Sequence, residues 1–241
     1  MRLALPISLS LLWLGLVAVP ASAQITRNYD IKDFNKLKIG SNFKVVLYEG
    51  TTPGLEMTGM EEDLQEIEIK NDGSTLIVRR EHNWRFRDLF NEDKHTIQVK
   101  LTYTHLESIK ASGASSVRAE HILEGNHLSL EVSGASDLDV EVDVRELICS
   151  SSGASDLKLF GQAGQVTINC SGASDVKAKS FRAHSADIDC SGASTIHIGV
   201  DELLDANASG ASDIYVYGSP RVQQSRSSGA SDIHFREKNS K

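Results

Sequence analysis

Leu130-Glu131-Val132-Ser133-Gly134-Ala135-Ser136-Asp137-Leu138-Asp139-Val140 is the stretch that decides the fold. On both sides of its Ser-Gly-Ala-Ser centre, apolar residues alternate with polar ones: Leu130 and Val132 before it, Leu138 and Val140 after it. A period of two is that of a strand with one buried face. The glycine between two such strands permits a sharp bend, because without a Cβ it takes positive φ freely. The alanine after it is small enough for a narrow corner interior, and the flanking serines can bond backbone groups that the bend exposes.

The tetrad recurs at Gly113, Gly134, Gly153, Gly172, Gly192, Gly210 and Gly229, at spacings of 21, 19, 19, 20, 18 and 19 residues. A fixed period of this length marks a solenoid. Alignment on the glycine gives each column a meaning. Four residues before it stand Ile109, Leu130, Cys149, Ile168, Ile188, Ala206 and Ser225; two before it, Ala111, Val132, Ser151, Cys170, Cys190, Ala208 and Ser227. Four residues after it come Val117, Leu138, Leu157, Val176, Ile196, Ile214 and Ile233, and six after it, Ala119, Val140, Leu159, Ala178, Ile198, Val216 and Phe235. The positions between are polar or aromatic, for instance Lys158, Lys177, His197, Tyr215 and His234. The chain is therefore expected to be all-β, a parallel β-helix with about 18–21 residues per rung. The period-two pattern and the β-branched, Gly- and Ser-rich rungs exclude a helical solenoid.

The three cysteines fall inside this register. Cys170 and Cys190 share an inward column on successive rungs, and Cys149 faces inward one rung earlier. Two readings stand: a Cys170–Cys190 disulfide, or a stack of buried thiols acting as small hydrophobes. In-register neighbours on parallel strands lie near the strand spacing of about 4.8 Å, longer than the ~3.8 Å between Cβ atoms that a disulfide prefers.

The ends and the charge bound the setting. Arg2, the apolar run Leu9 to Val19 and the small-x-small Ala21-Ser22-Ala23 have the form of a cleavable export leader over residues 1–23, with a membrane anchor as the alternative. The apolar run is short for a span, and no other long apolar segment follows, so no transmembrane segment is expected after cleavage. Removing the leader takes Arg2 and leaves 24 basic residues against 33 acidic, a net charge of −9 beside −8 for the whole chain. That balance disfavours nucleic acid and anionic membrane as partners. Location in the periplasm or at the cell surface is expected.

Residues 24–105 lack the tetrad but still read as short strands: Phe34 to Ile39, Phe43 to Glu49, Leu55 to Gly59, Leu64 to Lys70, Thr75 to Arg80 and Thr96 to Thr102. They are expected to form irregular rungs that cap the regular repeat of 106–236, with a polar tail at 237–241; a separate small sandwich is the alternative. Between two of these strands, Glu81 to Lys94 concentrates Trp84, Arg85, Phe86, Arg87 and Phe90. Such a cluster in a connection reads as a partner surface, or as a short amphipathic helix covering the stack.

The chain resembles the auto-transporter adhesins with a head GIN domain. The carriers are the strand–Gly–strand segment Phe34 to Gly50, the Leu106 to Ala114 segment that starts the repeat, and the Ser-Gly-Ala-Ser-Asp corners that follow. Ser41-Asn42 follows Gly40 where the family pattern has Ile-Asn. The resemblance implies a right-handed single-stranded β-helix, an adhesin-like role and no catalytic residues to transfer.

Three functions follow. The first is a non-catalytic adhesin-like or structural module of the bacterial cell envelope, holding a glycan or an envelope protein on polar ladders. The second is a calcium-binding solenoid using Asp137, Asp156, Asp175, Asp213 and Asp232, which follow the corners. The same carboxylates can instead cap their own corners. The third, a polysaccharide-acting enzyme, needs carboxylates converging in a cleft, and no cofactor is otherwise implied. The last rung, Ser228 to Phe235, has little sequence after it to cover its edge, so edge-to-edge pairing into a homo-oligomer is expected.

Overall fold

Alternating strands joined by glycine corners close into a β-solenoid of about seven turns, seen in a computed structural model that describes residues 24–81 and 96–237. Residues 1–23, expected to be an export leader, and the Trp84, Arg85, Phe86, Arg87 and Phe90 cluster lie outside the described residues. Strands β1 (Ile25–Tyr29), β2 (Lys36–Ile39), β3 (Phe43–Glu49) and β4 (Gly54–Gly59) are followed by helix α1 (Glu61–Gln65), β5 (Ile67–Asp72), β6 (Thr75–Arg80) and β7 (Ile97–Tyr103). The repeat comprises β8 (Ser108–Ala111), β9 (Ser116–Ala119), β10 (Leu123–Val132), β11 (Asp137–Ser151), β12 (Asp156–Cys170), β13 (Asp175–Cys190), β14 (Thr195–Gly210), β15 (Asp213–Tyr217), β16 (Arg221–Gly229) and β17 (Asp232–Arg236).

Successive repeats pair parallel and in register, Leu138 on Leu157 and Leu157 on Val176, for example. The inward columns are fully buried through most of the stack: Leu130, Ile168, Leu159 and Ile198 are all inaccessible to solvent. The core thins towards the last described rung, where Ser225 and Ser227 take the inward positions and are exposed. Phe235 sits in an inward column yet is 48 % exposed, because no described rung stacks beyond it.

The corner has a strict geometry. Each of the seven corner glycines, Gly113, Gly134, Gly153, Gly172, Gly192, Gly210 and Gly229, has φ between 78° and 83°. A Cβ at Gly134 would lie 2.5 Å from the Gly113 carbonyl oxygen, and the same clash recurs at every later corner. That carbonyl is where it is because it accepts the next rung's alanine N–H, as from Ala135 to Gly113 at 2.7 Å and from Ala154 to Gly134 at 2.8 Å. The expectation for the other corner residues needs correction. Alanine is exposed, and the second serine is the residue that points inward, with Ser136, Ser174 and Ser212 inaccessible to solvent. A hydroxyl is tolerated there because it donates across the corner, from Ser155 Oγ to Ser152 O at 2.9 Å and from Ser174 Oγ to Ser171 O at 2.7 Å.

The head is stacked out of sequence order. β2 lies between β6 and β8, and β3 between β7 and β9, all parallel. The first rung is thus sandwiched, and the chain leaves it, builds an outer rung from β6 and β7, and returns underneath. β4 pairs antiparallel with β7 and β1, and β5 pairs antiparallel with β6. The Gly40-Ser41-Asn42 turn is itself a corner. Ser41 holds φ 88° and its carbonyl accepts the Ala114 N–H at 2.9 Å, so it occupies the place that glycine holds in every later rung. Leu64 to Lys70 is not one strand: α1 takes Leu64, and β5 starts only at Ile67. The helix buries Asp63 against Arg80, Oδ1 to Nη1 at 2.7 Å, each side chain 8 % exposed.

Candidate functional site

The strands after each corner share one outward face along the whole stack. Its in-register column runs Lys100, Val46, Arg118, Asp139, Lys158, Lys177, His197, Tyr215, His234, from β7 to β17. At ~4.8 Å per rung this column is about 38 Å long. The rung spacing is also a ring-stacking distance. His197 and Tyr215 lie 4.6 Å apart and 6° from parallel, and Tyr215 and His234 are 4.6 Å apart at 18°.

Beside this ladder opens a groove of about 440 Å³ lined by Lys158, Phe160, Lys177, Lys179, His197 and Tyr217. It results from a break in the period. The register shifts between Lys158 and Gln162 where β12 meets β13, and again after Ala178 where β13 meets β14. The extra residues in β13 turn Phe181 into the core, 1 % exposed, and leave Lys179 and Ser180 outside. Such bulges re-aim side chains at sheet surfaces. One rung further, Gly199 has no side chain and pairs with Tyr217. Lys179 reaches across that gap, its Nζ 5.0 Å from the centre of the Tyr217 ring. The Tyr217 hydroxyl lies 3.0 Å from His197 Nδ1. Phe160, at the groove's edge, is 43 % exposed.

The electrostatics of the groove oppose those of the chain, whose net charge is −8. Lys158 and Lys177 are direct cross-strand neighbours, an arrangement that is destabilising for like charges. Lys177 is partly neutralised: its Nζ lies 2.7 Å from Asp156 and 3.8 Å from Asp175, and the Asp156 hydrogen bond raises its pKa. Lys158 and Lys179 make no ion pair among the described residues. Burial lowers the His197 pKa below the ordinary histidine value; nearby Lys179 adds to this and Asp175 opposes it. The imidazole is therefore neutral at pH 7 and stacks as a flat uncharged ring.

The aspartates singled out from sequence do form a column: Asp137 pairs with Asp156, Asp156 with Asp175, and Asp213 with Asp232, Thr195 intervening. Their own N–H groups bond the preceding rung, as from Asp156 to Ser136 O at 3.0 Å. The ammonium of Lys177 sits between Asp156 and Asp175, so part of this column is already bridged by a side chain. At its far end, Asp213, Asp232 and His234 offer ligand atoms within 4.8 Å of one another, the residues best placed among those described to hold a cation. The strands before the corners carry a second outward ladder, Ser150, Asn169, Asp189 and Asn207, along a groove of about 300 Å³. Asn207 donates to Asp189 at 3.0 Å, and no aromatic ring among the described residues lines this groove.

The three cysteines are free thiols beneath that second ladder. Burial pushes Cys149 up to about 12. A hydrogen bond to Cys170, with burial added, holds the Cys190 proton well above the ordinary thiol range. Phe160, Lys179 and Tyr217 were not singled out from sequence. They occupy the seventh position after the corner, one outward step beyond the aligned columns, and carrying the alternation that far would have exposed them.

A head built around an outer rung, a parallel stack of glycine corners and one long outward face together define a β-solenoid scaffold. The chain belongs to the family described as putative auto-transporter adhesin, head GIN domain, which matches residues 33–220. It is similar in structure to a putative adhesin from Bacteroides fragilis NCTC 9343, at 23 % identity and a TM-score of 0.80, over 90 % of this chain and 98 % of that one. A putative adhesin from Parabacteroides merdae ATCC 43184 has a TM-score of 0.67 at 20 % identity, over 90 % of this chain and 97 % of that one. A putative lipid binding protein from Parabacteroides distasonis ATCC 8503 has a TM-score of 0.67 at 16 % identity, over 90 % and 98 %. These likenesses show the fold. No curated protein matches the chain in sequence.

Proposed function

We propose that this chain is an exported, non-catalytic, adhesin-like module of the cell envelope that holds an extended partner along its post-corner face. The observation that carries the reading is the stacked His197–Tyr215–His234 ladder beside the groove where Phe160 stands exposed and Tyr217 meets Lys179. Flat rings fixed on a rigid sheet offer contact area with little conformational entropy to lose on binding. A repeat scaffold suits an extended ligand, because each rung adds the same contact at a fixed step. Membership of an adhesin family and the leader-like residues 1–23 support placement outside the cytoplasm.

The exposed Phe235 and Val222 of the last described rungs suit a second, end-on contact with another copy. The test of the main reading is a glycan array and an envelope-fraction pull-down. Wild type is compared with the double variant Phe160→Ala/Tyr217→Ala, after both are shown to melt alike. Loss of the captured partner in the variant supports the reading. Equal capture by both proteins would remove this face from the function.

A further inference from the structure

Resting on that reading, we infer that the groove between Lys158 and Tyr217 is a binding site for an acidic polysaccharide strand, one bearing carboxylate groups on its sugar rings. Three lysines converge on one groove of a chain whose net charge is −8. Two of them, Lys158 and Lys179, have no carboxylate partner among the described residues, and Lys158 is stacked directly against Lys177. Like charges so placed repel, and an anion between them removes that repulsion. The groove is thus complementary in charge to its occupant although the molecule as a whole is not.

The rings specify the rest. Phe160 and Tyr217 flank the lysines and present apolar surface that a simple anion does not use. A sugar ring does use it, since its C–H face packs on an aromatic ring while its substituents remain at the edge for hydrogen bonds and charge. His197, held neutral by burial, adds a polar edge through its contact with the Tyr217 hydroxyl at 3.0 Å. The rung step of about 4.8 Å is close to the advance per residue of an extended 1,4-linked glycan. Nucleic acid is disfavoured, because the Asp156 and Asp175 carboxylates beside Lys177 would face its phosphates and because the overall charge repels a dense polyanion. An anionic bilayer is disfavoured by the same charge and by a recessed, not protruding, site.

The probe is polygalacturonate, set beside neutral dextran, double-stranded DNA and vesicles of phosphatidylglycerol, with the full chain titrated calorimetrically at low and moderate salt. Wild type is expected to bind polygalacturonate, and to bind it less tightly as salt rises. The variant Lys158→Ala/Lys179→Ala is expected to lose about tenfold in affinity, from two exposed ion pairs. Phe160→Ala is expected to weaken binding without changing the salt dependence. All three substitutions lie on exposed positions, and unchanged melting temperatures show that the fold is kept. Salt-independent binding, an unaltered affinity in the lysine variant, or binding only to DNA or vesicles would overturn the inference. A neutral glycan captured through Phe160 and Tyr217, with no polygalacturonate bound, would overturn the acidic ligand and leave the adhesin reading standing. Absence of any capture that depends on this face would sink both.

Discussion

Replacing Gly153 by alanine tests the corner geometry on which the whole stack depends. Gly153 has φ 83°, and an added Cβ would lie 2.5 Å from the Gly134 carbonyl oxygen and 3.0 Å from the Gly134 nitrogen. The left-handed conformation costs an L-residue about 1–2 kcal/mol. The carbonyl cannot step aside cheaply, since it accepts the Ala154 N–H at 2.8 Å, so overpacking adds about 1–3 kcal/mol. The expected loss is about 2–5 kcal/mol, against a total stability of ~5–15 kcal/mol for a typical domain. Urea unfolding followed by circular dichroism measures it. Hydrogen exchange should place the weakened protection around β11, β12 and β13, because each rung contacts only its neighbours. Gly125→Ala is the control: its φ lies outside the left-handed region and its new Cβ would meet nothing closer than His105 Cε1 at 3.6 Å. A loss below about 1 kcal/mol for Gly153→Ala, or one equal to that of Gly125→Ala, would refute the account of why this column is glycine.

Other consequences are as direct. Arg80→Ala leaves Asp63 buried without its partner and should cost about 3–5 kcal/mol in equilibrium unfolding; a loss near zero would mean the helix α1 region contributes little to the cap. Asp187 has its carboxyl pKa raised by burial, with Asp189 and Asp205 adding to it. The native state then binds that proton more readily than the unfolded chain, so the ionised group detracts from stability above its native pKa, and the penalty fades as pH falls to its unfolded value, about 3.8. Asp187→Asn should therefore raise the melting temperature at pH 7 by an amount that shrinks as pH falls towards about 4; a gain independent of pH would point to some other cause. Thiol titration in denaturant without reductant should count three free thiols, and Cys149 should be slow to alkylate in the native protein because its thiolate is scarce.

Much of the stack was legible because a strand's inward and outward positions alternate without reference to the rest of the molecule. The columns through Leu130, Cys149 and Ile168, and through Leu138, Leu157 and Val176, follow from counting outwards from each glycine. The corner itself was legible only in part. Gly and Ser were assigned to it correctly, but which serine faces inward depends on the strand direction after the bend, and local chemistry does not set that. Ser136 is buried and Ala135 exposed, the reverse of what size alone suggests. The head was harder still. β4 and β5 pair antiparallel, and β6 and β7 stack beyond β2 and β3, although they follow them in the chain. Nothing in Thr75 to Arg80 distinguishes a strand that lies outside the first rung from one that continues inward.

The candidate groove shows the same division. Lys158, Lys177 and His197 stand in one column by counting alone, because parallel rungs of nearly equal length put like positions on top of one another. Phe160, Lys179 and Tyr217 also share one position by counting, the seventh after the corner, but counting shows neither the bulge that sends Phe181 inward nor the gap at Gly199 across which Lys179 meets Tyr217. By itself the sequence determined a parallel stack of strands with glycine corners, since backbone sterics and period-two burial are local and repeat. Only the tertiary structure decided where the head folds back, which serine lines the core and where the bulge lets Lys179 reach the Tyr217 ring. Those depend on register between rungs, and register is fixed by packing across the sheet.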